Sequence, residues 1–549
     1  MLSFALRMAD LAYRQPFLRA AADPRRTQTH ALMTILRANS QTTFGRAHGF
    51  AEIGSREKFR SAVPVQTYDS LEPAIRAQAV QGTPELTQDP PVFYARTSGT
   101  TGPARDFPMT AAAERSQRAA QRILAATIHR GSAFFRGRVA AFGGGYVEGH
   151  LPSGQPFGSA SGQTFATTPG FLRRRFVVPS AAYGLEHALE KYHIYALTAL
   201  AAADLTGLLA ANPSTFQSIL RHIESAAETV LRDLADGSFT IGDEPSRMAT
   251  ELAKGAISPS PDRARQLEKA LTPGLRLDAI WPRLTGLVSW THGNCRIALE
   301  SLAPALPPGL KIIEIGYRAS EFVGTINVDA ETNLCLPCLK DTVFEFVEQE
   351  AWERGERDFL WLDEIEDGRR YYLFATTACG LYRYHINDIV EVAGRFRSCP
   401  GLAFVQKGSG VTNITGEKLH EAQLLEAIRE ARAATGVKPA FCLAVADARS
   451  AVYRLHHQID AAPTEDLTRA FAHGLDEALA RLNVEYAAKR ASDRLHPVEV
   501  VMLVPGADEG LKRHLTTHGQ REAQYKPPLL VDGARFDFDF APFRWPAVA

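Results

Sequence analysis

The run "YARTSGTTGPARDFPMT", residues 94–110, sets Thr97, Ser98, Gly99, Thr100, Thr101 and Gly102 side by side, with Arg96 before them and Arg105 just after. Hydroxyls can donate to phosphate oxygens, and backbone N–H groups of a glycine-rich turn can converge on the same anion. Arg105 would add positive charge. The spacing G-x-x-x-x-G-K-[ST] is absent, so this is not a Walker loop. Taken alone, the run also reads as a Ser/Thr-rich surface turn.

Two other patches carry suitable groups. In "KIIEIGYRASEFVGTINVD", Tyr317, Ser320 and Glu321 follow an apolar run at what would be the carboxyl end of a strand, where open α/β sheets bind ligands. In "LYRYHINDIVEV", Asp388 follows an aromatic cluster and Arg383, and a carboxylate there could take both hydroxyls of a ribose. By itself Asp388 also reads as a solvated turn acid. Four further groups offer less. Cys335 and Cys338 have redox or zinc-knuckle spacing, but no second Cys or His pair follows. "HHQID", from His456, is one residue short of an acyltransfer HHxxxD motif and sits in an apparent strand. The glycines 143–145 lack dinucleotide spacing and suggest a close backbone approach, while His292 and Arg296 could border a substrate pocket.

The elements that must hold these residues follow a βα pattern. Helical spacing runs through the first ~60 residues, as in "THALMTILRANS", with a stop near Asn39. The order strand, Gly-rich loop, helix is expected around the hydroxyl run, so that a helix dipole would assist it. Short apolar runs such as residues 139–142, 286–290 and 311–315 alternate with long helical stretches, of which residues 214–234 form one. That alternation predicts an α/β fold with mainly parallel sheets covered by helices. After about residue 330, "DTVFEFV", "RYYLFATT" and "DIVEVAG" read as a small β-rich module, and beyond residues 404–408 a compact α+β pattern begins. The expected domains are 1–404 and 405–549.

Bulk properties narrow the class. At 549 residues the chain exceeds the ~250–300 at which single cores stop growing. Lys plus Arg and Asp plus Glu number 61 each, so no net field draws in nucleic acid or an anionic membrane. Six scattered cysteines suit a reducing compartment. The apolar residues 197–211 include Asp204 and fall short of the ~18 residues of a membrane span. The expectation is a cytoplasmic enzyme acting on small molecules, with no nucleic-acid or membrane partner.

"TSGTTG", "YRASE" and "YRYHINDIV", in this order, resemble the nucleotide-binding motifs of the adenylate-forming superfamily. "VPVQTYDSLEPAI", "ANPSTFQSIL", "WPRLTGLVSW", "NITGEKLHE" and "AQYKPPLL" are more similar to one branch, the acyl acid amido synthetases that conjugate auxin or jasmonate to amino acids in plants and have bacterial relatives. The resemblance spans nearly the whole chain. It implies a large adenylation domain and a smaller mobile C-terminal domain that turns about a hinge at Lys407. It implies ATP and Mg2+, a carboxylic acid and an amine or amino acid as substrates, and AMP and pyrophosphate as products. The loop from Thr97 to Gly102 would touch the phosphates, Tyr317 would stack on adenine, and Ser320 would lie near the phosphate. Glu321 would help to hold Mg2+, Asp388 would bind the ribose, and Lys526 would reach the reacting carboxylate and α-phosphate.

The chain departs from the pattern in places. Arg105 stands where the superfamily usually has Lys, Pro103 and Ala104 stiffen the loop, Arg318 and Asn387 replace common glycines, and Lys407 replaces a common Arg. The same first half-reaction could instead serve transfer to coenzyme A or a carrier protein, although the ending "QYKPPLL" differs from that of the thioester branch. A catalytically silent acyl-acid binding protein is the remaining alternative; Glu321, Asp388 and Lys526 argue against it.

Overall fold

The helical lead-in folds by ordinary capping. The helix Pro24–Ala38 opens with Pro24 in its first turn, the Asp23 carboxylate accepting from the Arg26 N–H, and it closes at Asn39. The computed structural model describes residues 2–97, 105–241, 245–271, 275–408, 410–415, 417–517, 527–534 and 536–546. Within them the chain forms two compact units: Met1–Thr291 with Pro304–Phe404, and His292–Ala303 with Val405–Ala549.

In the first unit, β1 (Pro91–Arg96) and β2 (Asp106–Thr110) pair antiparallel, Arg96 opposite Asp106, with β5 (Pro156–Gly158) and β4 (Gly149–His150) completing the order β2-β1-β5-β4. A second sheet is wholly parallel, in the order β3-β6-β7-β8: β3 (Arg138–Phe142), β6 (Leu205–Ala210), β7 (Gly286–Ser289) and β8 (Lys311–Glu314). β9 (Thr325–Asp329) and β10 (Leu334–Pro337) make a hairpin. The β-rich module is a sheet of order β12-β11-β13-β14-β15, built from β11 (Thr342–Glu348), β12 (Leu360–Trp361), β13 (Arg370–Thr377), β14 (Tyr384–Phe396) and β15 (Cys399–Lys407). Phe17, Leu32, Phe59, Leu71, Phe93, Phe344 and Tyr382 belong to the core that joins the lead-in helices to this module. A smaller core, with Phe134, Val139, Val288 and Ile313, lies against the parallel sheet.

The second unit has a short pair, β16 (Val411–Thr412) and β17 (Leu419–His420), and a sheet of order β20-β19-β18-β21. Its strands are β18 (Cys442–Asp447), β19 (Val452–Gln458), β20 (Glu499–Leu503) and β21 (Leu530–Asp532). The helices Glu421–Thr435 and Glu465–Leu482 cover it through Leu424, Ile428, Phe471 and Leu475. The helix Cys295–Leu302 belongs to this unit, since Ile297 packs against the same core.

Two local expectations are corrected. The hydroxyl run leads into β2 and not directly into a helix, because "DFPMT" pairs with β1 and the Asp106 carboxylate receives both Nε and Nη2 of Arg96 at 2.6 and 2.7 Å. The helix Ala111–Gly131 begins only after Thr110, which caps it, so its dipole does not open at the loop. The stretch 214–234 is broken at Ala226 into Ser214–Ser225 and Ala227–Asp236. Among the described residues, no helix is long and apolar enough to cross a membrane.

Candidate active site

Beyond the carboxyl end of β8 the backbone makes a tight excursion and returns in β9. Gly316 opens it at φ +105°, a conformation that favours glycine, and its N–H donates to Glu314 Oε1 at 2.8 Å. Tyr317 follows, its carbonyl accepting from the Gly324 and Thr325 N–H groups at 3.0 Å. The tip closes with Ala319 N–H donating to Phe322 O at 3.1 Å, which places Ser320 and Glu321 at the turn. Gly324 is required by close approach, since a Cβ there would stand 2.2 Å from Cδ1 of Tyr317.

Tyr317 is 8% exposed, and its hydroxyl donates to Oδ2 of Asp388 at 2.5 Å. Phe404 lies parallel to the Tyr317 ring, with centroids 5.7 Å apart and planes 9° apart. Burial first, then the Asp388 carboxylate, holds the phenol well above its usual pKa, so it stays a donor. Asp388 is 2% exposed and owes its placement to an irregularity of β14. The register with β13 shifts between Tyr372, opposite Ile389, and Phe374, opposite His385, and Asn387 sits at φ +60°. Such a bulge re-aims the side chain beside it. Arg383, also left-handed at φ +48°, secures the start of the bend. It pairs with buried Glu345 at 3.0 Å and donates to the carbonyls of Arg60 and Val63.

The remaining sequence candidates divide as follows. Glu321 and Asp388 both act electrostatically on Tyr317 and on the buried Tyr384, and Arg105 acts on Tyr384 as well, so these four candidates share one neighbourhood. Arg105 is exposed, meets Asp69 at 3.4 Å and lies 4.8 Å over the Tyr68 ring. Its N–H donates to Thr97 Oγ1 while Thr97 N–H donates to its carbonyl, so the two residues extend the β1–β2 ladder by one step. Ser98, Gly99, Thr100, Thr101, Gly102 and Lys526 lie outside the described residues. Ser320 is half-buried on the turn. Lys407, at the end of β15, belongs to the second unit, where its carbonyl accepts from Gly410 N–H at 2.9 Å.

The weaker motifs are packing features. Burial pushes the Cys338 thiol up to about 12 and the Cys335 thiol well above its ordinary range. His456 stacks on Phe540 at 4.3 Å, and buried His457 accepts from Arg432 at 3.1 Å. Arg296 pairs with Glu300 and Glu426, both at 3.2 Å. Sequence reasoning missed Phe404 and the space made by Gly324. Only the lone aromatic of "LAFVQK" and the glycine after "SEFV" could have signalled them.

Comparison with known proteins extends along the chain. The GH3 family N-terminal domain matches residues 14–308, the GH3 family central domain residues 335–407 and the GH3 family C-terminal domain residues 422–534. A jasmonoyl--L-amino acid synthetase of Oryza sativa subsp. japonica, GH3.5, is 25% identical over 93% of this chain and 93% of its own length. An indole-3-acetic acid-amido synthetase of Arabidopsis thaliana, GH3.3, is 24% identical over 92% of this chain and 89% of its own. Among solved structures, GH3.15 acyl acid amido synthetase in complex with 2,4-DB shares the fold at a TM-score of 0.84 and 20% identity, covering 94% of this chain and 93% of that one. A 2-hydroxyisobutyryl-CoA ligase in the postadenylation state shares it at 0.55 and 13%, covering 92% and 88%.

Proposed function

The chain belongs to the GH3 family, and we propose that it is an ATP-dependent acyl acid amido synthetase. An oxygen of the substrate carboxylate attacks the α-phosphorus of ATP, pyrophosphate leaves, and an acyl-adenylate forms. The nitrogen of an amine or amino acid then attacks the acyl carbon, AMP leaves with the bonding electrons, and the nitrogen gives up a proton. The observation that carries this reading is the match to all three family domains, from residue 14 to 534.

The geometry supports a division of roles. Bringing a carboxylate to a polyphosphate sets anion against anion, so the site must offer cations and N–H or O–H donors. We assign the phosphates to Thr97, Ser98, Gly99, Thr100, Thr101, Gly102 and Arg105, with Ser320 nearby. Tyr317 takes the adenine and Asp388 the ribose. The Tyr317–Asp388 bond ties the base-binding ring to the sugar-binding carboxylate, so neither rotates freely when the nucleotide arrives. Glu321, a carboxylate on a half-buried turn among these groups, fits a role in holding Mg2+, which would supply charge neutralisation at the phosphates. Lys526 would carry positive charge to the reacting carboxylate. A mobile domain hinged at Lys407 would present the site first to adenylation and then to the amine. ATP as substrate suits a cytoplasmic setting.

The test supplies ATP, Mg2+ and a panel of carboxylic acids, and measures pyrophosphate release with amino acids, with coenzyme A and with neither. Acid-dependent release with amide formation is expected. Product formed only with coenzyme A would replace the amide reading by a thioester ligase, and no turnover with any acid would favour a silent binding protein.

A further inference from the structure

A buried carboxylate precedes the turn that carries Tyr317. Glu314 is the last residue of β8 and is 3% exposed. Strands inside a parallel sheet are as a rule continuously apolar, and the neighbours Ile313 and Ile315 keep to that rule. A carboxylate at this position carries a desolvation penalty that only converging donors offset. Gly316 and Thr291 supply them. Oε1 accepts from the Gly316 N–H at 2.8 Å, and Oε2 accepts from the Thr291 N–H and the Thr291 hydroxyl, both at 2.6 Å.

The two residues joined in this way have different tasks. Gly316 opens the turn, and its carbonyl accepts from Trp290 Nε1 at 3.1 Å. The Tyr317 N–H, next along, donates to Thr325 Oγ1 at 2.8 Å. The backbone that sets the Tyr317 ring is thus fixed group by group, with Glu314 at its start. Thr291 is the last residue of the first unit before the chain enters the second at His292. The chain passes between the units there, after Ala303 and after Phe404, so a movement of the second unit has to be taken up at these points. The Glu314 backbone is itself braced, its N–H donating to Asn333 Oδ1 at 3.0 Å and its carbonyl accepting from Asn327 Nδ2 at 2.9 Å. With the backbone braced, the carboxylate passes a shift of Thr291 to Gly316, and the reverse.

We infer that Glu314 is a positioning residue for nucleotide binding: it sets the turn at Gly316 and Tyr317 and couples that turn to Thr291, so that nucleotide binding and the chain's entry into the second unit bias one another. The inference rests on the assignment of Tyr317 to adenine and deepens it. Such coupling is reciprocal, so bound nucleotide steadies the Thr291 segment to the extent that the segment favours nucleotide binding.

The test is Glu314→Gln in the full chain. The amide keeps the shape but has one acceptor oxygen, and it sets an NH2 group against the donors of either Gly316 or Thr291. The probe is AMP, followed by calorimetric titration and by hydrogen exchange of peptides covering residues 286–303 and 311–325. In the unaltered protein, saturating AMP should slow exchange in both peptides. In Glu314→Gln the Kd for AMP should rise by about 5- to 150-fold, the usual span of coupling between linked sites, and saturating AMP should slow exchange in 311–325 alone. Thr291→Val, which removes only the hydroxyl, should move both readouts in the same direction by less, and Thr291→Ser should restore them. A residue that served stability alone would lower the denaturation midpoint and leave the AMP-dependent difference intact. Unchanged affinity in Glu314→Gln, undiminished slowing over 286–303 at saturation, or no slowing there in the unaltered protein would each overturn the inference and leave the nucleotide reading standing. No binding of AMP to the unaltered protein, or binding without effect on 311–325, would remove the Tyr317 assignment and this inference with it. Thr291→Val keeps the carboxylate and its backbone donors, so it decides the question if Glu314→Gln folds poorly.

Discussion

The phenol of Tyr317 and the carboxylate of Asp388 share a bond of 2.5 Å in a buried setting, which bears on stability and, under the proposed roles, on nucleotide binding. Tyr317→Phe would leave Asp388 one donor short. Hydrogen bonds to charged groups contribute about 1.5–3 kcal/mol, so the variant should lose stability of that order in urea denaturation and show a raised KM for ATP. Unchanged stability and unchanged KM together would remove the pair from both roles. Lys526 belongs to the same scale. If it brings charge to the reacting carboxylate, Lys526→Ala should slow acyl-adenylate formation by about 10²-fold or more in single-turnover assays while the denaturation midpoint stays the same. Undiminished adenylation would take Lys526 out of the first half-reaction.

At the scale of elements, the turn between β8 and β9 depends on backbone space as much as on functional groups. A methyl group on Gly324 would have to enter the Tyr317 ring, with its Cβ 2.2 Å from Cδ1. Gly324→Ala should therefore cost about 1–3 kcal/mol through overpacking and raise KM for ATP by moving the ring. Gly255, in the helix Arg247–Ala256, is the matched control, since a Cβ at that position would have nothing within 4 Å. There Gly→Ala should hold or raise stability, by up to about 1 kcal/mol, and leave KM unchanged. Equal effects at the two positions, read by thermal denaturation and ATP titration, would contradict the packing account.

At the scale of the whole molecule, both units bury imidazoles. Burial lowers His193, and lowers His222 and His385 to about 4 in the first unit; in the second it lowers His456 to about 4 and His457 to about 3. Unfolded histidines titrate near 6.5, so between about pH 6.5 and 4 the unfolded chain binds more protons than the folded one. Their contribution to stability is complete above about pH 6.5 and is lost as pH falls toward 4. Each can add a slope of up to about 1.4 kcal/mol per pH unit. Glu421 and Asp341, raised by burial, work in the opposite direction, two groups against five. The urea midpoint should therefore be clearly lower at pH 5 than at pH 7.5, and His222→Gln should flatten the dependence. A midpoint independent of pH across this window would refute the assignment.

What the sequence by itself determined is whatever follows from local order. Apolar runs alternating with helical stretches indicated the α/β class, because a strand buried on both faces must be continuously apolar. "KIIEI" followed by "GYRASE" located a strand end with the candidate residues Tyr317, Ser320 and Glu321 just beyond it. The three ordered motifs pointed to the family because their residue types and order survive without knowledge of contacts. Only the tertiary structure decided the rest. It paired residues 106–110 with β1 as a second strand ahead of the helix, with Arg96 opposite Asp106, a partnership that no local pattern announces. It grouped Cys295–Leu302 with the second unit, because burying Ile297 needs the core built by residues more than a hundred positions later. It joined Tyr317 to Asp388 across 71 positions through a bulge in β14 whose register no local pattern announces. And it set Gln117, Gln121 and Gln163 together with Oε1 atoms that, among the described residues, receive no hydrogen bond, since which groups go unpaired is a property of packing between distant segments.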